Sequence, residues 1–551
     1  MTGSARGKHG WKVAGLVLLV CTVLFIVMLL FSDNEGEPGE PRDTSDTVDY
    51  IVASILTVSW LIFFAVLFPR RRREERGVPR PGAMRAIFGK WGGGPEGGFP
   101  FTVDEEGGGN GQPADTEGEE PKPTRGEVAA EAEGLLKGWR GEAYVFGLGV
   151  LGETGALAAR FGKKALLVAN RSPWAGGVVD RVKESLGEAG VKVVSECAGA
   201  KPNTPRDDVY RIQQAIEGAR ADLVVAVGGG STLDAVKAAA ALAAVSRGAF
   251  NIDALFGTGN VSAKLGRLHV VPIVAVETAA SSASHLTKYA NVTDVAANQK
   301  KLIIDTAIIP PAAVFDYALT ASVPRELTID GAFDGISHCL EVYCGAKGAI
   351  LDKVEEVALT GIELILSSVR MAVTIPENLE ARYRLGLGTD LGGYAIMTGS
   401  TSGGHLTSFS LVDLTTHGRA TAIMNPYYTV LFANAIERQL RALAPLYARA
   451  GYLTQDTEAL GGRELALAVA GAMQAFARDL EAPTALGQLP GFSRAHIERA
   501  LAAAKDPSLE SKLKAMPVPM DLGVVDEYMT GVLEAAAEGR LEAVKTLPFG
   551  A

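Results

Sequence analysis

Cysteine and histidine are both scarce in this 551-residue chain, with four of the first and seven of the second. The cysteines (Cys21, Cys197, Cys339 and Cys344) form no C-x-x-C pair, which excludes a disulfide framework and a zinc ribbon and fits reduced thiols. Positive charge is also in deficit. The net charge is −10, which argues against non-specific nucleic-acid binding. No internal repeat is visible. What is present is length enough for two folded domains, and 47% hydrophobic residues to fill their cores.

The few histidines are not scattered. Three of the seven lie in two segments, GAFDGISHCLEVY and GGHLTSFSLVDLTTHGRA. In the first, Asp334 and His338 stand four apart, so a helix would place carboxylate and imidazole on one face, one turn apart. The second contributes His405 and His417. One carboxylate and three imidazoles suffice for a four-coordinate divalent metal site, although each residue alone reads as an ordinary satisfied core group.

The amino-terminal quarter reads differently. Residues 13–31 and 50–68 are charge-free apolar runs, each close to the length that spans a bilayer. Arg6, Lys8 and Lys12 precede the first, Arg70, Arg71, Arg72 and Arg73 follow the second, and the loop between is acidic. The positive-inside rule then predicts a membrane hairpin over residues 1–75 with both ends cytoplasmic. Two buried core helices are the alternative. Residues 76–125 are rich in Gly, Pro and Glu and read as a flexible acidic linker. The localisation expected is the cell membrane, with the folded part in the cytoplasm.

Residues 126–313 alternate strand and helix patterns, which predicts an α/β dinucleotide domain with a parallel sheet. Gly147, Gly149 and Gly152 have the G-x-G-x-x-G spacing, a weak signal alone. The run ADLVVAV into GGGSTLDAVKAAAAL is more specific. Gly228, Gly229 and Gly230 let the backbone approach a pyrophosphate at a helix start, and Ser231 adds a hydroxyl. The strand KKALLVAN ends at Asn170, followed by Arg171 and Ser172. A carboxylate near this point would bind a ribose hydroxyl and repel a 2′-phosphate, so these residues favour NADPH over NADH. Residues 314–551 read as helices joined by short loops, a helical metal-binding domain.

The motifs resemble the iron-containing (group III) alcohol dehydrogenase family. GGGSTLDAVKAA is similar to its G-G-G-S signature. KKLIIDTAIIPPAAVFDYALTASVPRELTIDGAFDGISHCLEVY follows its second signature, and HLTSFSLVDLTTHGRATAIMNPY its closing histidine segment. The resemblance implies a Rossmann-like α/β domain, an all-α metal domain and an active site between them. It implies Asp334, His338, His405 and His417 as ligands of Fe(II) or Zn(II), with Gly228, Gly229, Gly230, Ser231 and Asp234 at the cofactor, which is NADP or NAD. It implies hydride transfer between a primary alcohol and an aldehyde, with the metal as Lewis acid. Asn170 falls where many members carry the acid that selects NAD. The family's P-T-T-A-G-T-G-S-E segment is here ETAASSASH: Thr278 survives, Ser281 can contact cofactor, and His285 replaces the acid. Phe409 stands where many members carry another histidine, which makes His285 the candidate proton relay.

Expected partners are a small alcohol or aldehyde, the bilayer and further copies of the chain in a homo-oligomer, with no nucleic acid. Lipid-derived long-chain aldehydes and soluble small alcohols are both open as substrates. The alternatives are a polyol or glycerol-phosphate dehydrogenase of the same superfamily, and a non-catalytic membrane scaffold on a dehydrogenase fold.

Overall fold

The computed structural model describes residues 125–170, 172, 177–245 and 251–548, all within one unit spanning Glu117–Ala551. The expected membrane hairpin, the acidic linker and Arg171 lie outside the described residues.

Among the described residues, nine strands form two sheets. They are β1 (Tyr144–Gly147), β2 (Lys164–Ala169), β3 (Lys192–Ala198), β4 (Leu223–Gly228), β5 (Gly257–Thr258), β6 (Ile273–Glu277), β7 (Tyr289–Asp294), β8 (Gln299–Ile304) and β9 (Ala312–Asp316). The main sheet runs β1-β9-β6-β4-β2-β3 and every pairing in it is parallel. Its inner strands β4, β6 and β9 are buried at every position. Apolar residues on both strand faces are what a sheet covered on both sides requires. The small sheet β5-β8-β7 pairs β7 with β8 antiparallel.

The helices of this half are α1 (Arg125–Arg140), α2 (Thr154–Ala158), α3 (Val178–Glu188), α4 (Arg206–Ala219), α5 (Gly230–Val245) and α6 (Asn260–Leu265). Strand β2 crosses to β3 on one side, and β4 crosses to β6 on the other. The chain direction therefore reverses between β2 and β4, and a ligand crevice is expected at their carboxyl ends. The last turn of β2 leads to Asn170 and that of β4 to Gly229, so both motifs open on this crevice.

The G-x-G-x-x-G turn has a different job. The backbone N–H groups of Gly149 and Leu151 donate to the Asp316 carboxylate at 2.8 and 3.3 Å. A protein carboxylate at the end of β9 occupies the place that a phosphate would take in a nucleotide loop.

The second half contains α7 (Arg325–Gly345), α8 (Leu351–Thr374), α9 (Leu379–Thr398), α10 (Gly403–Ser408), α11 (His417–Leu431), α12 (Glu437–Arg449), α13 (Gly462–Asp479), α14 (Arg494–Ala504), α15 (Glu510–Lys514) and α16 (Val525–Glu538). Helix α7 is buried from Thr328 to Cys344, around its whole circumference, because it lies at the centre of this bundle. Among the described residues, Gly348–Thr374 is one helix long and apolar enough to cross a membrane, but 61% of its apolar window is buried inside the protein. It is a core helix. Helix α7 also meets the loop after β6 closely. A Cβ on Gly331 would stand 1.9 Å from the Ala280 carbonyl oxygen, so only glycine permits this approach. That contact sets the first turns of α7, and hence Asp334, beside the glycine loop.

Candidate active site

Four side chains converge at the centre of the helical half. Asp334 and His338 project from one face of α7. His405 comes from the short helix α10, and His417 opens α11. Asp334 Oδ1 lies 3.6 Å from His338 Nε2, 3.5 Å from His405 Nε2 and 3.7 Å from His417 Nε2. In a tetrahedral site with bonds of about 2.1 Å, ligand atoms are about 3.4 Å apart. Asp334, His405 and His417 each offer an atom within a 4.8 Å circle. His338 is the loosest member: its Nδ1 has no hydrogen-bond partner.

The donor set fits a cation. Asp334 Oδ1 and His405 Nε2 are buried and have no hydrogen-bond partner. Leaving a carboxylate oxygen and a ring nitrogen buried and unpaired is costly, and a bound cation removes the cost for both. Burial pushes the Asp334 carboxyl up, but His338, His405 and His417 together hold it far below the usual carboxylate range. Burial, reinforced by the Lys300 ammonium, keeps His417 neutral. Burial also lowers His338, to about 4. An ionised carboxylate with neutral His338 and His417 is the protonation pattern a metal needs; at His405 the carboxylates of Glu341 and Asp334 outweigh burial and raise the imidazole, so a cation would bind there in competition with a proton.

Two supports hold the rings. His405 Nδ1 lies 2.7 Å from Glu341 Oε1, while Glu341 Oε2 accepts from the Ser402 and His405 backbone N–H groups at 2.6 and 3.3 Å. His417 Nδ1 lies 2.9 Å from Ser408 Oγ. Each partner fixes a ring so that Nε2 faces the cluster. Both follow a ligand by one helical turn: Glu341 comes three residues after His338, and Ser408 three after His405. Sequence reasoning passed over them because a spacing of three marks a neighbour but not its role.

A cleft of about 560 Å³ joins this cluster to the glycine loop. Its walls include Asn170 and Ser172 at one end, Gly229, Gly230 and Ser231 in the middle, and Asp334 and His417 at the other end. A Cβ on Gly230 would stand 2.5 Å from Ser282 Oγ, so a larger residue would narrow the cleft there. Ser281 and Ser282 also line it, and the Ser282 hydroxyl has no partner.

The other expected cofactor residues are placed as follows. Asn170 Oδ1 accepts from the backbone N–H and the hydroxyl of Ser172, at 3.0 and 2.8 Å. Ser231 Oγ accepts from the Asn203 N–H at 3.1 Å. Asp234 borders the cleft, but protein donors already occupy its oxygens: Ser284 Oγ at 2.5 Å, the Asn291 N–H at 2.9 Å and Lys237 at 3.3 Å. Its place is structural, holding β7 and the serine loop against α5. Thr278 is buried beside the loop, outside the cleft walls, and its hydroxyl has no partner.

His285 is not where a proton relay is needed. It is fully buried beneath the sheet end and does not line the cleft. Its Nδ1 lies 3.2 Å from Glu277 Oε2. Its Nε2 lies 3.2 Å from the Tyr144 hydroxyl and 3.4 Å from Asp390 Oδ1. Tyr317 adds a 2.8 Å hydrogen bond to Asp390. Burial lowers His285 to about 4 and raises Glu277 to about 8. This closed network ties β6 to α9, so the expectation of catalysis by His285 loses its geometric support.

Two lysines were not anticipated. Lys300 on β8 is buried in the cleft wall near Asp334, and burial lowers it to about 8. Lys512 on α15 borders a second, inner cavity of about 50 Å³ behind the cluster. Nothing local marks either one, since each sits in an ordinary charged stretch.

Known proteins resemble this chain in sequence and in fold. Residues 141–317 match the model of the iron-containing alcohol dehydrogenase family, and residues 328–516 match that of the Fe-containing alcohol dehydrogenase family, C-terminal. A NAD-dependent methanol dehydrogenase of Bacillus methanolicus is 30% identical over 288 residues, 52% of this chain and 73% of that protein. A choline dehydrogenase of Bacillus subtilis is 29% identical over 366 residues, 66% of this chain and 87% of that protein. An alcohol dehydrogenase from Oenococcus oeni has a similar structure, with a TM-score of 0.61 at 25% identity, covering 72% of this chain and 98% of that one. Two separate family matches in chain order, over the two halves that build the cleft, lead to one conclusion: this chain belongs to the iron-containing alcohol dehydrogenase family and is an oxidoreductase.

Proposed function

We propose that the chain is a metal-dependent, NAD(P)(H)-linked enzyme that interconverts a primary alcohol and its aldehyde in the cleft between the sheet and the helical bundle. The observation that supports this reading is the ligand cluster, with Asp334 Oδ1 and His405 Nε2 unpartnered, which meets the cleft of the glycine loop through Asp334 and His417. Bound there, a divalent cation would supply Lewis acidity and a nicotinamide the hydride.

The chain's own residues do the rest. The backbone of Gly229, Gly230 and Ser231 at the start of α5 receives the pyrophosphate. Asp334, His338, His405 and His417 hold the cation. Glu341 and Ser408 keep two of the rings aimed. Ser281 and Ser282 offer hydroxyls along the cleft. Fe(II) is the proposed ion because the family matches carry it in their description, and Zn(II) suits the same donors. For the nucleotide, Asn170 supports NADPH: an amide does not repel a 2′-phosphate as a carboxylate would.

The inner cavity bears on substrate. At about 50 Å³ it holds roughly three or four heavy atoms. Leu302, Ile396 and Phe409 line it. Short substrates fit this space better than long-chain or lipid-derived aldehydes. Membrane anchoring is proposed from the two charge-free runs alone, as a device of location.

The test is direct. The full chain, purified in detergent without chelator, is loaded anaerobically with Fe(II) or Zn(II). NADPH and NADH oxidation is then followed with propanal, butanal and decanal. Metal-dependent oxidation with the short aldehydes is the expected result. Tight binding of metal and nucleotide without turnover of any aldehyde would move the assignment to polyol or phosphorylated substrates. Binding of neither would leave a scaffold.

A further inference from the structure

The protein buries three lysines close to the cluster, Lys300 in the cleft wall and two others that are held in opposite ways. Lys237 on α5 is saturated: its ammonium donates to the carbonyls of Ser284 (2.9 Å), Thr287 (3.4 Å) and Tyr289, and lies 3.3 Å from Asp234. That is how a structural lysine survives without water. Lys512 is also buried, only 2% exposed, yet its partners are one hydroxyl, Thr401, and two ring faces. Its ammonium lies 5.6 Å from the Tyr289 centroid and 6.0 Å from that of Phe409. The attracting acid is Glu341, but both of its oxygens are already taken by His405 and Ser402. No carboxylate among the described residues forms an ion pair with Lys512.

Its position gives this imbalance a use. Lys512 lines the inner cavity together with Asp334, His338, His405 and His417, but does not line the cleft that holds the glycine loop. The two spaces share Asp234, Ser282, Asn291, Asp334 and His417 in their walls. A nucleotide lying along the glycine loop therefore reaches the cluster from one side, and Lys512 faces it from the other. An alcohol or aldehyde at the cluster would direct its far end into the inner cavity. There it meets one ammonium with unused donors and the Thr401 hydroxyl; Tyr289, Leu302, Ile396 and Phe409 form the apolar and aromatic part of the wall, and Ser282, Ser284, Thr287, Asn291 and the already paired Asp234 complete it.

Resting on the function proposed above, we propose that Lys512 recognises an anionic group at the far end of a short substrate, which makes the enzyme selective for ω-hydroxy or ω-oxo acids over neutral alcohols and aldehydes. The ammonium is desolvated before the substrate arrives, so an anion that pairs with it displaces little water. A neutral methyl end would leave the charge unpaired. The size of the cavity restricts the class to roughly two to four carbons. Carboxylate and sulfonate share the recognition chemistry.

The test uses the full chain loaded with Fe(II). Specificity constants are measured for 4-oxobutanoate against butanal, and for 2-oxoethanesulfonate against propanal. The wild-type protein should prefer the anionic member of at least one pair by about tenfold or more, and the pair that shows it identifies carboxylate or sulfonate. In Lys512→Met the anionic-to-neutral ratio should fall by about 30-fold, chiefly through KM, with Lys512→Arg recovering part of it. A wild-type ratio of one or less overturns the proposal, as does a ratio that Lys512→Met leaves in place. Calorimetric titration with succinate, which cannot react, provides the second readout. Binding lost in Lys512→Met supports the anion site even if no aldehyde is turned over, in which case the dehydrogenase reading fails and the site stands. Absent or Lys512-independent succinate binding, alongside turnover of neutral aldehydes, leaves the enzyme and removes the anion site.

Discussion

The two ends of the cleft are built on opposite principles. At the nucleotide end, the Ser282 and Thr278 hydroxyls apart, the polar side chains satisfy one another: Asn170 holds Ser172, Ser231 is held by Asn203, and Asp234 is surrounded by Ser284, Asn291 and Lys237. At the metal end Asp334 Oδ1 and His405 Nε2 have no partner. A pyrophosphate can be bound by backbone N–H groups, so the side chains around it serve to hold the loop. A cation must be bound by side-chain lone pairs, so those groups stay unpaired within the protein. Finished scaffolding and unfinished coordination therefore mark the two kinds of site.

The contrast can be broken most sharply at His417. Its replacement by Ala should remove stoichiometric metal and lower turnover on the order of 10³-fold, while NADPH still binds at the glycine loop. Metal analysis and nucleotide fluorescence on one preparation would check this. Loss of both ligands together would mean that the two ends are not independent. The lysines give the next effect. Lys237→Met leaves three carbonyls and Asp234 without their partner and should cost about 3 kcal/mol or more of stability. Lys512→Met should cost under about 1 kcal/mol, because it removes a charge that has no acid bound to it. Urea unfolding of both variants compares them, and equal losses would make Lys512 structural.

A smaller effect is expected at Glu341→Gln, which keeps the shape but weakens the hold on His405. Metal affinity should fall about 10- to 100-fold, read by competition with a chelator. Smallest is Asn170→Asp at the satisfied end. The NADPH-to-NADH preference should drop by about tenfold from charge repulsion, with little change in stability. An unchanged cofactor ratio would place the ribose elsewhere in the cleft.

The parts legible in the sequence were those with local signatures. The i, i+4 pair Asp334 and His338, the strand–triple glycine–helix run and the all-apolar β4 each depend on backbone periodicity, which a linear chain displays. Less legible were the residues whose meaning depends on what lies opposite. Gly147, Gly149 and Gly152 have a nucleotide spacing, yet Asp316, from a strand distant in the chain, closes their turn. His285 follows a serine-rich loop that borders the cleft, yet its side chain turns inward to Glu277, Tyr144 and Asp390.

The sequence by itself determined the order of the two halves, the parallel sheet, the glycine loop and four candidate ligands, because pattern and residue type carry that information. Only the tertiary structure decided which polar groups satisfy each other and which are left to meet a ligand. Asp234 and Lys237 are spent on the fold, while Asp334 and Lys512 are left open. That division depends on distances between segments far apart in the chain, and no local pattern encodes them.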